Sequence, residues 1–282
     1  MQELEFISCP LCDSFQNIPW AEENGYYCVK CCECGLIYVN PRPSLQYIQE
    51  TAALGVHSLK EGKNLDGKAY FKPSKIKNFQ HALLKLNQDL AKSKTKWLDV
   101  GAGHGEFIFA VKNIVPITST VEGVDPMEYK VKSARDRGLK IHHGFLSDVK
   151  GKYNVISLLD VFSHIPNFKE FLVTIKDHLS INGEIIIKTG NASDVGDRSN
   201  IPEPLYLPDH LVFGGYSQLV KFITESGFII VSEYHESIDG FWYTIKNIFK
   251  KILGKEVVLR LPYTSPMKTM WIRARKSTLM EK

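Results

Sequence analysis

The chain has 282 residues, 44% hydrophobic and 23% charged, with a formal charge of +4. That is an ordinary balance for a soluble globular protein of one large domain or two. So small a positive excess does not indicate a nucleic-acid binder, though it does not exclude one, and no apolar run reaches the roughly 20 residues a membrane span needs. The start, MQELEFISCP, lacks the basic lead and apolar core of a signal peptide, so a reducing, cytoplasmic setting is expected.

All six cysteines lie between Cys9 and Cys34. In a reducing setting such clustering points to a metal rather than to disulfides. Cys9 and Cys12 form one C-x-x-C pair and Cys31 and Cys34 another, with 18 residues between the pairs. This spacing matches a four-cysteine zinc ribbon. Cys28 and Cys31 make a rival second pair. Cys31 with Cys34 is preferred, because Gly35 frees the backbone to curl toward the sulfurs. A contribution from Cys28 or Cys32 stays open, as does a set of metal-free thiols. About 40 residues scarcely bury a sufficient core alone, which gives a metal a reason to be there. Four thiolates would fill the zinc, so the site is expected to be structural.

Residues 36–39 read as a short strand, stopped by Pro41 and Pro43. Ser44 is a plausible N-cap for a helix over 45–50. Residues 52–68 are weakly patterned and read as a mobile link. Apolar residues at Ile76, Phe79, Leu83, Leu84, Leu86 and Leu90 predict a helix over 75–91.

The stretch from Trp97 to Gly105 organises the rest. An apolar pulse, Trp97-Leu98 and Val100, fits a buried strand. Gly101, Gly103 and Gly105 follow at alternate positions, and then Phe107, Ile108, Ala110, Val111 and Ile114 recur at helical spacing. Strand, glycine loop and helix form the first βα turn of a doubly wound sheet, where such folds bind ligands. A dinucleotide fingerprint would put its third glycine at position 106, which is Glu106. Asp99 at the strand end repels pyrophosphate but suits a cationic ligand group. A second strand ends in Asp125, placed to bond ribose hydroxyls or to cap the next helix. Helix 127–137 and a short strand near Ile141 follow. Residues 153–160 form a continuous apolar run, as a central parallel strand should be. Helix 168–179, a stop at Asn182-Gly183 and strand 184–189 come next, then a loop-rich stretch over 191–215, then helix 216–226 and strand 228–234. Residues 270–275 make the last strand. Between these strands, residues 241–253 carry an apolar stripe with lysines off it, which fits a membrane or partner surface. Packing on its own domain is the commoner outcome for such a stripe.

Asp99-x-Gly101-x-Gly103-x-Gly105 resembles motif I of class I S-adenosylmethionine-dependent methyltransferases. The cysteine segment with its "CGLIYVNPRPS" is similar to the zinc-binding segment joined to such domains, including those acting on nucleotide-linked sugars. The resemblance implies that Asp99, Gly101, Ala102 and Gly103 hold the methionine part of the cofactor and Asp125 its ribose. It places adenine near Phe145 and Leu146, with Asp148 close by. Asp160, Val161, His164, Ile165 and Pro166 keep most of a family phrase, "DVLEHIP", beside the cofactor. There His164 is either an acid/base or a packing residue. Asp209-His210-Leu211 resembles the "EHL" of sugar methyltransferases, with Asp where Glu is common. Tyr70 and Phe71 either cap the cleft or pack in the core. The last strand is antiparallel in this family.

The expectation is therefore an α/β class I methyltransferase fold, a Rossmann-like doubly wound sheet, with a zinc ribbon over 1–41, a linker and covering helices over 42–92, and the catalytic domain over 93–282. Its cofactors are S-adenosylmethionine and a structural zinc held by Cys9, Cys12, Cys31 and Cys34. Its catalytic base is His210, with Asp209 or His164 in support, and its acceptor resembles a carbohydrate or nucleotide-sugar. An RNA- or tRNA-directed methyltransferase and a non-catalytic binding module are the alternatives. Oligomeric state and the methylated atom are not readable from the sequence.

Overall fold

A computed structural model describes residues 3–58, 64–66, 70–201, 204–238, 240–255, 257–261 and 264–277. Part of the expected 52–68 link lies outside them. The cysteine segment contains more sheet than its sequence suggests. Asn17–Glu23 (β1) pairs antiparallel with Tyr26–Cys31 (β2), and β2 pairs with Ile37–Val39 (β3). Ser44 caps Leu45–Leu54 (α1), its hydroxyl accepting from the Tyr47 N–H. The next helix, Ser74–Leu86 (α2), stops five residues short of the expected end, because Asn87 turns extended.

The glycine loop joins Lys96–Val100 (β4) to Glu106–Lys112 (α3), as expected. Thr120–Asp125 (β5), Glu128–Arg135 (α4), Ile141–His143 (β6), Tyr153–Leu159 (β7) and Phe168–His178 (α5) follow. Leu179–Gly190 (β8) starts earlier than expected. Its pairing with β7 jumps from Tyr153–Leu179 to Val155–Glu184, and Asn182 sits at φ 59°. The Asn182-Gly183 signal is therefore absorbed as an irregularity within the strand. Val212–Phe213 (β9), Tyr216–Glu225 (α6), Phe228–Ser237 (β10), Phe241–Ile252 (α7) and Lys268–Lys276 (β11) complete the chain.

The main sheet has the order β6-β5-β4-β7-β8-β11-β10. Strands β6 to β8 are parallel, and β11 runs antiparallel to both its neighbours. Strand order switches between β4 and β7, and a doubly wound sheet opens its ligand crevice at the carboxyl ends of such strands. One face of the sheet is covered by α2, α3 and α4, the other by α5 and α6. Phe79, Trp97, Phe107 and Trp271 interlock on the first face, with the Phe79 and Phe107 centroids 5.5 Å apart. Each edge-to-face pair adds about 0.5–1.5 kcal/mol beyond its buried area.

The cysteine segment is joined to the second face. Cys9, Leu11, Leu36 and Tyr38 share a core with Phe162, Leu219 and Phe222. A second sheet, β9-β3-β2-β1, takes its edge strand from the catalytic chain. In contrast to the commoner outcome for an apolar stripe, α7 leaves Phe241, Trp242, Phe249 and Ile252 exposed. No helix among the described residues is long and apolar enough to cross a membrane.

Candidate active site

Asp99 is fully enclosed at the end of β4, and its Oδ1 accepts the Ser157 hydroxyl at 2.6 Å. That hydroxyl in turn accepts from the Trp97 indole at 2.9 Å. Burial pushes the Asp99 carboxyl up to about 7, against the hydrogen bond from Ser157, with the Asp125 charge adding to the rise. A cation beside it would restore the ionised form. Ser157 was missed in the sequence; a lone hydroxyl in the apolar run of β7 was its signal.

Gly101, Gly103 and Gly105 all adopt left-handed backbone, with φ of 72°, 55° and 89°. A Cβ on Gly101 would lie 2.6 Å from Val161, so the loop that carries His164 closes directly on the first glycine. A Cβ on Gly103 would meet nothing within 4 Å, and this is the open side of the loop. The Gly101 and Ala102 N–H groups are spent on the Val124 carbonyl. The Ala102 methyl is buried and packs toward Gly123. Asp125 holds the loop from the next strand: Oδ2 accepts the Gly103 N–H at 2.8 Å and Oδ1 the Met127 N–H at 2.9 Å. Each carboxylate oxygen keeps a second acceptor site, so these structural bonds leave room for a ribose hydroxyl.

Leu146 lies in the core at 3% exposure, whereas Phe145 is 40% exposed and is the ring open to a ligand. Asp148 turns back to accept the Phe145 N–H. Asp160 ends β7 in left-handed backbone, φ 59°, and its carboxylate accepts from Lys188 at 2.5 Å. Left-handed backbone at a non-glycine residue is uncommon and tends to cluster at functional sites. Phe71 packs edge-on against Phe109 at 5.9 Å, while Tyr70 is exposed.

The structure brings His164, Asp209 and His210 together. His164 Nδ1 lies 2.9 Å from the Asp209 carbonyl oxygen and 3.2 Å from Oδ1 of the same residue. The rings of His164 and His210 meet edge to face, centroids 4.7 Å apart. Burial lowers the proton affinity of His164, but the hydrogen bond and charge of Asp209 more than offset it, leaving the ring above its ordinary value. For His210, burial comes first and the neighbouring His164 charge second; together they pull its pKa down to about 4, against the Asp209 charge. His210 is therefore neutral across the physiological range.

Both loops are braced by the cysteine segment. Leu211 donates to the Ser163 carbonyl at 2.7 Å, and its own carbonyl accepts from Val39 at 2.8 Å. Arg42 reaches the Pro166 carbonyl at 3.0 Å, and Gln218 the Cys34 carbonyl at 2.7 Å. Leu205 and Leu207 pack on Tyr26, Ile37 and Val39.

The Sγ atoms of Cys9, Cys12, Cys31 and Cys34 all lie within 4.8 Å of one another, with Cys9–Cys34 and Cys12–Cys31 each at 3.5 Å. A tetrahedron with sulfurs ~2.3 Å from its centre has edges of about 3.8 Å, so the donor set fits one zinc. Asp13 at φ 60° and Gly35 at φ 73° curl the two knuckles. Cys28 lies apart, in the cluster with Tyr26 and Val39, and Cys32 is exposed.

A family described as a methyltransferase domain matches residues 73–238, more than half of the chain. The chain belongs to this methyltransferase family. The glycine loop with Asp99 and Asp125 fits S-adenosylmethionine, the methyl donor such domains use. A ubiquinone biosynthesis O-methyltransferase from Rickettsia canadensis is 27% identical over 107 residues, which are 35% of this chain and 44% of that relative. The match thus spans less than half of the relative's length. Among solved structures, the (4+2)-cyclase SpnF superposes with TM-score 0.52 at 15% identity, over 76% of this chain and 85% of its own. The cyclopropane synthase MmaA2 from Mycobacterium tuberculosis gives 0.51 at 12% identity, over 71% and 84%. At such identities both likenesses concern the methyltransferase fold alone.

Asp99→Ala is expected to weaken S-adenosylmethionine binding by about 1.5–3 kcal/mol, the range for hydrogen bonds to charged groups, as read by calorimetry. Affinity in the wild type should fall as pH drops below about 7, where Asp99 takes up its proton. Asp99→Asn should bind weakly without that pH dependence.

Proposed function

We propose that the methyltransferase acts on a hydroxyl of a sugar-like acceptor, a carbohydrate or nucleotide-linked sugar, with His210 as general base. The meeting of Asp209 and His210 with His164, whose own loop closes against Gly101, carries this reading. The likeness of "CGLIYVNPRPS" and Asp209-His210-Leu211 to sugar-methyltransferase segments supports the acceptor class. An O-methyltransferase among the relatives supports oxygen as the methylated atom. S-adenosylmethionine supplies the electrophilic methyl. Asp99 and the glycine loop would orient the donor, and neutral His210 would accept the hydroxyl proton as the O–C bond forms and the methyl's bond to sulfur breaks, with S-adenosylhomocysteine leaving. Asp209 lies beside the His164 ring and offsets the charge that builds on the histidine pair. The four cysteines hold one structural zinc, which fixes the wall of the acceptor site and takes no part in the chemistry.

The test is transfer of labelled methyl to a panel of nucleoside-diphosphate sugars and free sugars, with bulk tRNA alongside. Label in a sugar supports the reading. Label in tRNA alone, with strong salt dependence, replaces it with a nucleic-acid-directed enzyme. The pH dependence of kcat/KM then names the base. An acid limb near pH 4 identifies His210, and one above about 6.5 identifies His164.

A further inference from the structure

Helix α7 is docked the wrong way round for a water-soluble protein. Successive residues are about 100° apart on a helix, so Phe241, Trp242, Ile245, Ile248, Phe249, Ile252 and Leu253 fall within an arc of roughly 140°. Asn247 projects nearly opposite the centre of that arc. In a soluble domain the apolar arc should face the core. Here Asn247 is the buried residue of the helix, at 5% exposure, and the neighbouring Thr244 hydroxyl donates to the Arg260 carbonyl at 3.1 Å. Most of the apolar arc faces outward, with Trp242 79% exposed, Ile252 74% and Leu253 75%, while Ile245 near its middle is half-buried.

Charge selects the occupant. Residues 240–255 contain Lys246, Lys250, Lys251 and Lys255 and no acidic residue. Lys246 and Lys251 lie at opposite margins of the arc, where they would reach outward past an apolar face set into a boundary layer. A second copy of the helix would bring four more lysines against these four, so like charges oppose a symmetric pairing. An anionic lipid surface matches both features: hydrocarbon for the arc and phosphate for the rim. Three of the four aromatic residues of the helix lie in its first turn, and amphipathic rings favour that boundary. The helix leaves the carboxyl end of β10, which runs parallel to β4 and β7, so it emerges at the sheet edge that carries the glycine loop.

We propose that α7 attaches this methyltransferase peripherally to an anionic phospholipid surface. The surface is independent of the acceptor assigned above, and its test needs no turnover.

The full chain is floated with phosphatidylcholine vesicles, with and without phosphatidylglycerol. The expected result is binding to the phosphatidylglycerol vesicles at least roughly tenfold tighter than to phosphatidylcholine alone, weakened by high salt. Phe249→Asp with Ile252→Asp should abolish it while far-ultraviolet circular dichroism and S-adenosylhomocysteine binding stay unchanged, because both side chains point outward. Lys250→Gln with Lys251→Gln should remove most of the preference for phosphatidylglycerol. Brominated lipid should quench the wild type more than Trp242→Phe. Failure to float with either vesicle, or undiminished flotation of the Asp double variant, overturns the proposal. So does a concentration-dependent dimer that the Asp variant disrupts in the absence of any lipid preference.

Discussion

His210→Ala is expected to lower turnover by about 10²–10⁴-fold while leaving S-adenosylmethionine affinity nearly unchanged. The expectation rests on two properties of this ring. It is unprotonated at neutral pH, although the burial and His164 charge that hold its pKa near 4 also make it a weaker base than a free imidazole, and its loop abuts the one that closes on the cofactor glycines. Asp209 supports it indirectly: the carboxylate turns to His164, whose ring meets that of His210 edge to face. His164→Ala should therefore move the pH profile as well as the rate, since it removes the charge that depresses His210. If His164 is itself the base, its alanine variant carries the full turnover loss and His210→Ala does not. If His210 only packs the loop, its variant loses stability and cofactor affinity while the folded fraction turns over normally. Both variants, assayed at saturating cofactor, separate the three cases.

Removing the metal is expected to cost turnover as well as local structure. Cys31 is 2% exposed, ends β2 and belongs to the four-sulfur cluster. Zinc bound to four thiolates contributes of order 10 kcal/mol in small modules, so Cys31→Ser should unfold residues 3–43. The damage should spread, because among the described residues β9 pairs only with β3, and the Leu211 carbonyl accepts from Val39. The His210 loop then loses its wall. Turnover should drop by at least about 10²-fold, as for other misplaced catalytic groups, while S-adenosylmethionine still binds. Metal analysis should find about one zinc per chain in reductively purified protein, and hydrogen exchange should rise at residues 205–213 in the variant. Absence of metal in a protein with an ordered cysteine segment would exclude the zinc.

The parts written in short-range pattern were legible in the sequence. The apolar pulse at Trp97–Val100, the alternating glycines and the helical run after them give strand, loop and helix without reference to the rest of the chain. The acids at the ends of β4 and β5 announce themselves by position. The cysteine knuckles are set by spacing, and Gly35 distinguishes Cys34 from Cys28. What depends on distant partners was not legible. Val212–Phe213 is too short for a periodic signal, and its partners Ile37–Tyr38 lie far upstream, before the first strand of the catalytic sheet. That pairing joins the cysteine segment to the loop that carries His210. The outward face of α7 was equally hidden, because a stripe shows an apolar face but not which way it is turned. Ser157 was passed over because a hydroxyl in a buried strand has meaning only once Asp99 lies 2.6 Å away.

Everything assigned to this site depends on what the Asp99 glycine loop binds. Calorimetric titration of the purified chain with S-adenosylhomocysteine and, separately, with NAD tests it most directly. The account predicts one S-adenosylhomocysteine per chain and no heat from NAD, because Asp99 repels a pyrophosphate and Glu106 stands where a dinucleotide site requires glycine. Binding of NAD without binding of S-adenosylhomocysteine would contradict it.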